Sequence, residues 1–299
     1  MADDEILVRV SAASVNPADW YDLTGTPRIA RPAMGLFRPK NKNLGVDFAG
    51  TVEAVGKSVS QFRVGEAVFG GRTGAIAEYV CVREEKAIVL KPPAMTMEQA
   101  AAMPVAALTA LQGLRDKGQL QPGQHVLING ASGGVGTYAV QIAKALGAEV
   151  TAVCSTRNVD QARALGADHV VDYTVDDFTT GDHRYDLLLD VAGSRRWSDY
   201  RKVLKEDATI VIVGAPKGSK MFGPLGHIIH VRLAAMFSSQ SATFFVAKFD
   251  KADLSVLGDL VTSGKLTSVI DRRYPLKETA DAFRYLGEGH AQGKIVVTI

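Results

Sequence analysis

The chain has 299 residues, enough for about two domains. Its 46% apolar and 22% charged composition is that of an ordinary globular protein whose core needs no disulfide or metal staple. The 34 basic and 32 acidic side chains leave a net charge of +2, which offers no electrostatic footprint for nucleic acid. Cys81 and Cys154 are the two cysteines, too few for a disulfide framework or a zinc pattern built on paired thiolates. No apolar stretch reaches the ~20 residues of a membrane span. The acidic start Met1-Ala2-Asp3-Asp4-Glu5 is unlike a secretory signal, so a cytoplasmic location is expected.

In chain order, the first part shows short strand-like runs: 6–10, 48–55, 75–82 and 87–90. Gly56, Gly65, Gly70, Gly71, Gly74 and Pro92-Pro93 punctuate them, which argues a β-rich unit. From residue 97 the period lengthens, and a helix is expected over 97–114. Strands and helices then alternate. Strands are expected at 125–129, 149–154, 169–172, 185–191 and 209–213, and helices at 135–146, 160–165 and 197–204. Such alternation means βαβ units and a parallel sheet. The apolar runs Leu187-Leu188-Leu189 and Ile210-Val211-Ile212-Val213 suit a sheet covered on both faces. From Asp271 the character is mixed again, ending in a strand over 294–299. The expected division is 1–97 with 271–299 as one domain and 98–270 as the other.

The run Asn129-Gly130-Ala131-Ser132-Gly133-Gly134-Val135-Gly136 follows the first strand of the alternating region and opens its first helix. Glycines at such a junction permit a tight turn and close backbone approach to a pyrophosphate, and the helix N-terminus favours the negative charge. No Gly-Lys-Ser/Thr ending follows, which disfavours a nucleoside triphosphate. The second strand ends Val153-Cys154-Ser155-Thr156-Arg157-Asn158, without the carboxylate that bonds the ribose 2′-hydroxyl of NAD. Two hydroxyls and a guanidinium there suit a 2′-phosphate. NADPH is therefore the expected cofactor.

Gly123-Gln124-His125-Val126-Leu127 through the glycine run to Gln141 and Lys144 resembles the quinone oxidoreductase/zeta-crystallin branch of the medium-chain dehydrogenase/reductase superfamily. Ser14-Val15-Asn16-Pro17-Ala18-Asp19, Gly45-Val46-Asp47-Phe48-Ala49-Gly50, Ala107-Leu108-Thr109-Ala110 and Gly289-His290-Ala291-Gln292-Gly293-Lys294 resemble other segments of that family. The resemblance implies an α/β protein: a GroES-like β-rich catalytic domain built from both chain ends, with a doubly wound parallel Rossmann domain inserted. It further implies cofactor contacts at Ser132, Gly133, Gly134, Val135 and Gly136 for the pyrophosphate, and at Ser155, Arg157 and Tyr173 near the 2′-phosphate. Asn16 and Thr109 match positions near the nicotinamide; Val213, Gly214 and Lys294 match further contacts. A homodimer formed through Rossmann edge strands is also implied. Two departures stand out. The family has about 20–30 residues ahead of the segment beginning at Glu5, on the scale of a β-hairpin; were the protein to lack them, a thinner active-site wall and an open apolar surface would be expected. Leu23 stands where many relatives carry Arg, which leaves substrate positioning without that group.

Zinc alcohol dehydrogenases of the superfamily carry Gly-His-Glu where this chain has Gly45-Val46-Asp47, so the imidazole ligand is absent. His227 and His230 form the closest histidine pair, with no third ligand nearby in sequence. No metal site is expected. Without a Lewis acid, hydride addition to a conjugated acceptor is easier than reduction of a simple ketone, because the charge spreads into an enolate or hydroquinone anion. The expected activity is NADPH-dependent reduction of an apolar quinone or α,β-unsaturated carbonyl. Asn16 is the candidate orienting residue and Tyr21 the candidate proton donor; Tyr21 also reads as a core aromatic beside Trp20. Asp47 reads either as ordering Asn16 or as a buried turn-stabilising carboxylate.

From Ala208 to Phe249 there is no Asp or Glu, and Leu225, Ile228, Ile229, Arg232, Leu233, Met236 and Phe237 follow helical spacing. This segment reads as a lid, a dimer face, a contact with anionic lipid, or plain packing within the subunit. Two other functions compete with the reductase: an NADPH-binding protein with little turnover, and a zinc-free alcohol or enoyl-thioester reductase. Fold alone does not choose among them.

Overall fold

The computed structural model describes residues 1–26, 28–35, 43–214 and 225–299. Its first elements are β1 (Glu5–Val15), α1 (Pro17–Thr24), α2 (Arg31–Met34), β2 (Asp47–Val55), β3 (Ala67–Gly71), β4 (Tyr79–Arg83), β5 (Ile88–Leu90), α3 (Met97–Ala101) and α4 (Pro104–Leu111). The alternating region follows with β6 (His125–Asn129), α5 (Gly134–Ala145), β7 (Glu149–Cys154), α6 (Val159–Ala164), β8 (His169–Asp172), β9 (Tyr185–Asp190), α7 (Trp197–Tyr200), β10 (Leu204–Ile212), α8 (Leu225–Ala235) and β11 (Ser241–Phe244). The chain closes with α9 (Lys251–Thr262), β12 (Ile270–Pro275), α10 (Thr279–Glu288) and β13 (Lys294–Thr298). No helix among the described residues is long and apolar enough to cross a membrane.

The elements form two units, one of Met1–Gly25, Pro32–Leu108 and Lys248–Ile299, the other of Thr26–Arg31 and Thr109–Ala247. These junctions differ from the 97/98 and 270/271 boundaries expected from the sequence. The reason is packing. α3 lies on β1 and β2, and α9 lies on β5 with Leu254, Leu257 and Val261 buried, so both helices stay with the chain-end unit. The helix expected over 97–114 is also broken. A capping box starts α3, with Thr96 Oγ1 accepting from the Gln99 amide at 3.1 Å and Gln99 Oε1 from the Thr96 amide at 2.9 Å. Pro104 then opens α4, where its missing N–H costs nothing, and the backbone continues as a π-helical stretch over Gln112–Lys117.

The chain-end unit holds a seven-stranded sheet in the order β12-β13-β1-β2-β3-β5, with β4 also paired to β1. β1 is the hub: its first half pairs with β4, its second half with β13, and β2 runs antiparallel along it. Alternation along β1 sends Ile6, Val8 and Val10 into one core with Phe48, Val52, Phe62 and Ile88. A second core gathers Val15, Ala282, Phe283, Ile295 and Val297 beneath α10. β3 was hidden in the sequence by its glycines. Gly70 is there because a Cβ would lie 2.2 Å from the Ala87 carbonyl oxygen, where β5 approaches.

The inserted unit holds a six-stranded sheet in the order β11-β10-β9-β6-β7-β8, and every pairing in it is parallel. Read by chain position within the unit, that is the doubly wound order, which reverses between β6 and β9. Its core includes Leu127, Leu188, Tyr200, Ile210, Ile212 and Val231.

Candidate active site

In the inserted unit the switch point is occupied by the glycine turn. β6 ends at Asn129, and Gly130 follows with φ +91°, a left-handed conformation that favours glycine. Gly133 is the extended N-cap of α5, with φ −79° and ψ 177°. Ser132, Gly133, Gly134 and Val135 remain partly exposed, while Gly136 is buried. The first-turn N–H groups of a helix have no intrahelical acceptor, so they are available to an anion. A Cβ on Gly133 would meet nothing nearer than the Gly130 carbonyl oxygen at 3.7 Å, so the space before it is open. A Cβ on Gly136 would lie 2.2 Å from that same oxygen; this glycine closes the helix against the strand. An open cradle lined by backbone donors at the end of a central parallel strand fits a dinucleotide pyrophosphate.

The ends of β7 and β8 lie side by side, and the Tyr173 amide donates to the Cys154 carbonyl at 3.0 Å. Ser155, Arg157 and Tyr173 thus share one edge of the unit, with Arg157 and Tyr173 exposed. Ser155 Oγ accepts from Asn158 Nδ2 at 3.0 Å. Thr156 and Thr174 hydroxyls hold the half-buried Asp172 carboxyl below its ordinary range. Cys154 is buried, and desolvation pushes its thiol up to about 11, so it stays a neutral packing residue.

A network that sequence reasoning missed lies beside the turn. Asp190, at the end of β9, stands opposite Asn129 in the parallel register. Its fully buried carboxylate accepts from Asn129 Nδ2 at 2.9 Å, the Gly193 amide at 2.8 Å and the Tyr200 hydroxyl at 2.8 Å. His227 Nε2 of α8 is 3.1 Å away. Burial, then Asp190, drives the Tyr200 phenol far up, so it remains a donor. The Val213 and Gly214 amides donate to the Asp190 carbonyl, and a Cβ on Gly214 would meet the Val191 carbonyl oxygen at 2.0 Å. The available signal was a lone carboxylate closing the apolar run Leu187-Leu188-Leu189 at a switch point. The α8 residues divide by side. Ile228, Val231 and Ala235 are buried, whereas Ile229, Leu233, Met236 and Phe237 are exposed. His230 is exposed and His227 faces Asp190, so the two histidines do not converge. Thr109, on α4, is partly buried.

In the chain-end unit, four strand and helix ends meet at Asp47, the first residue of β2. Its Oδ2 accepts from Ser14 Oγ at 2.9 Å and from Asn16 Nδ2 at 2.9 Å. Its Oδ1 accepts from the Val105 amide at 2.9 Å. Lys294, the first residue of β13, places Nζ 2.6 Å from Asn16 Oδ1 and 3.5 Å from Asp47 Oδ2. All three are almost fully buried: Asp47 is 0%, Asn16 2% and Lys294 4% exposed. Asp19, one turn into α1, accepts the Asn16 amide at 3.0 Å. Burial, then the Asp47 charge, raises its carboxyl to about 6. Burial also lowers the Lys294 ammonium, opposed by Asp47 and Asp19. Of the sequence candidates, Asn16 and Lys294 are therefore in direct contact, and Asp47 orders Asn16. Tyr21 is half-buried, edge-on to Trp20 at 5.5 Å and 74°, and burial raises its phenol.

A catalytic zinc does not fit this donor set. Val46 brings no ligand, and Asp47 is committed to four donors, one of them a cation. No group of three or more His, Cys, Asp or Glu among the described residues could hold a metal ion.

Residues 2–93 match the alcohol dehydrogenase GroES-like domain, and residues 165–297 match the zinc-binding dehydrogenase family. A chloroplastic quinone-oxidoreductase homolog of Spinacia oleracea is 33% identical across 98% of this chain and 89% of its own length. The chain belongs to the quinone oxidoreductase-like branch of the medium-chain dehydrogenase/reductase superfamily. A chloroplastic NADPH-dependent alkenal/one oxidoreductase of Arabidopsis thaliana is 31% identical to this family member over 99% of this chain and 72% of its own. The solved quinone oxidoreductase of Coxiella burnetii matches with a TM-score of 0.84 and 30% identity, covering 100% of this chain and 91% of that one. This family member is an oxidoreductase dependent on a nicotinamide cofactor.

Proposed function

We propose that this reductase uses NADPH to reduce a quinone or an α,β-unsaturated carbonyl, without a metal ion. The observation that carries the reading is Val46, where metal-dependent relatives keep an imidazole ligand, with Asp47 beside it committed to Ser14, Asn16, Val105 and Lys294. With no Lewis acid, the acceptor must delocalise the incoming charge itself. A cofactor held by its pyrophosphate at the glycine turn would supply the hydride, and Tyr21, re-protonated by solvent, would supply the proton that completes the two-electron reduction.

The chain's own residues bind and orient. The Ser132, Gly134, Val135 and Gly136 amides would face the pyrophosphate, with Gly133, whose amide donates to the Gly130 carbonyl at 3.3 Å, leaving room for it. Arg157, with Ser155 and Tyr173, takes the 2′-phosphate through charge-assisted hydrogen bonds. Asn16, held by Asp47, is the orienting residue of this reading, and Tyr21, whose phenol is raised by burial, is its proton donor. Thr109, Val213 and Gly214 complete the cofactor contacts. β11 and β8, the edge strands of the parallel sheet, are the elements through which two copies would pair. The test is NADPH oxidation with a panel of quinones and enones, with a chelator as control. Turnover that survives the chelator supports the reading. Tight cofactor binding with no acceptor consumed would instead favour a binding protein with little turnover.

A further inference from the structure

In the inserted unit β7 ends without an acid, but its neighbour brings one to the same edge. Asp172, the last residue of β8, stands opposite Cys154, the last residue of β7, in the parallel register. Two threonines grip its carboxylate. Thr174 gives Oδ1 its amide at 3.0 Å and its hydroxyl at 2.7 Å. A threonine hydroxyl has one hydrogen, so Thr174, having donated to Asp172, accepts in its 2.8 Å contact with the Thr156 hydroxyl. The Thr156 amide adds to the grip. The carboxylate is thus tied to the segment Ser155-Thr156-Arg157, and it forms no ion pair among the described residues.

This arrangement bears on a ligand at the same edge in two ways. A fixed negative charge with no paired cation repels a 2′-phosphate of about two negative charges and leaves a neutral 2′-hydroxyl nearly unaffected. The Thr156 hydroxyl, its hydrogen turned inward, has only lone pairs to offer outward; a ribose hydroxyl can donate to them and a phosphate dianion cannot. Both effects act against Arg157, whose guanidinium favours the phosphate. We infer that Asp172 is a specificity-determining residue of the cofactor site: its charge offsets part of the attraction of Arg157 for a 2′-phosphate and narrows the preference for NADPH over NADH. This rests on the reading of Ser155, Arg157 and Tyr173 as the 2′-phosphate edge. In NAD sites the discriminating acid ends the second strand of the sheet; here the third strand carries it, and threonines link it to the second.

The experiment titrates the full chain with NADPH and with NADH. Asp172→Asn removes the charge and keeps an acceptor for Thr174. Asp172→Ser removes it with a smaller side chain should the first variant fold poorly, and melting temperature checks both. NADPH should bind either variant about 3- to 10-fold more tightly than it binds the parent, with NADH within about twofold. The gain should shrink at about 0.5 M NaCl. It should persist in Arg157→Ala/Asp172→Asn relative to Arg157→Ala, because the charge acts on the phosphate and not through the guanidinium. Equal shifts for the two cofactors would overturn the proposal, since Asp172 would then serve only to shape the turn. A gain that vanishes without Arg157 would overturn it as well. A parent that binds neither cofactor sinks the reading of the site, and the proposal with it. A parent that binds NADPH, with the ratio of the two dissociation constants unmoved in the variants, sinks the proposal alone.

Discussion

Glycine positions in the turn separate folding from binding at the scale of single residues. Gly133 has extended backbone and open space before it, whereas Gly136 has backbone atoms 2.2–2.7 Å from where a Cβ would stand. Gly133→Ala should therefore leave stability within about 0.5 kcal/mol while weakening NADPH binding, because the methyl fills the cradle. Gly136→Ala should cost about 2 kcal/mol and lose cofactor binding as well. Thermal unfolding alongside cofactor titration distinguishes the two. Arg157→Ala should cut the preference for NADPH over NADH by about 10-fold or more, read from the two dissociation constants. An unchanged ratio would assign Arg157 to a solvated surface. Asp19 gives a pH prediction. Its carboxyl ionises at about 6 in the fold against an ordinary 3.8, so the folded chain holds a proton that the unfolded chain has released. Stability from this group is full below pH 3.8 and is lost as pH rises through 6. Asp19→Asn keeps an acceptor for the Asn16 amide, so its melting temperature should gain on the parent between pH 4 and 7. A constant gap across that window would refute the assignment. The glycine turn and Asn16 were legible because turn chemistry and the extended-to-helix junction are local. The partners of Asn16 were not, since Lys294 lies 278 residues away and only sheet pairing brings β13 to β1.

Function in these elements concentrates at strand ends. Asn129, Cys154, Asp172 and Asp190 end β6, β7, β8 and β9, and Asp47 and Lys294 begin β2 and β13. Strands of a parallel sheet were legible from unbroken apolar runs, and β6, β7 and β8 fall where the sequence puts them. Short strands with glycine were not, as β3 shows, because Gly70 reads as punctuation until the approach of β5 is seen. α9 and α10 went unnamed although both carry local signals: the Asp250 carboxylate accepts the Asp253 amide at the start of α9, and left-handed Gly289 ends α10. The Asp190 network ties four elements, β6, β9, α7 and α8, to one carboxylate. Asp190→Ala leaves the Tyr200 hydroxyl and the Gly193 amide without the carboxylate they donate to and should cost about 3–5 kcal/mol, while Asp190→Asn keeps one acceptor and should cost less. Urea unfolding measures both. Equal losses would show that the charge and the acceptor geometry contribute nothing separable.

For the molecule as a whole, each sheet carries its own candidate cluster. The parallel sheet supplies a switch point with free backbone donors, and the chain-end sheet supplies a buried ammonium–amide–carboxylate cluster. The fold class was legible because alternation and glycine punctuation are statistical properties of long segments. The junctions at 108/109 and 247/248 were not, since they depend on which strands α3 and α9 cover. The central claim is hydride delivery from a nicotinamide to a conjugated acceptor with no metal ion taking part. Its most direct test is to incubate chelator-treated protein with NADPH deuterated at C4 and an enone, and to locate the label in the product. The account predicts deuterium at the β-carbon, at a rate the chelator does not change. Absence of label from the product, or transfer that stops with the chelator and returns with zinc, would contradict it.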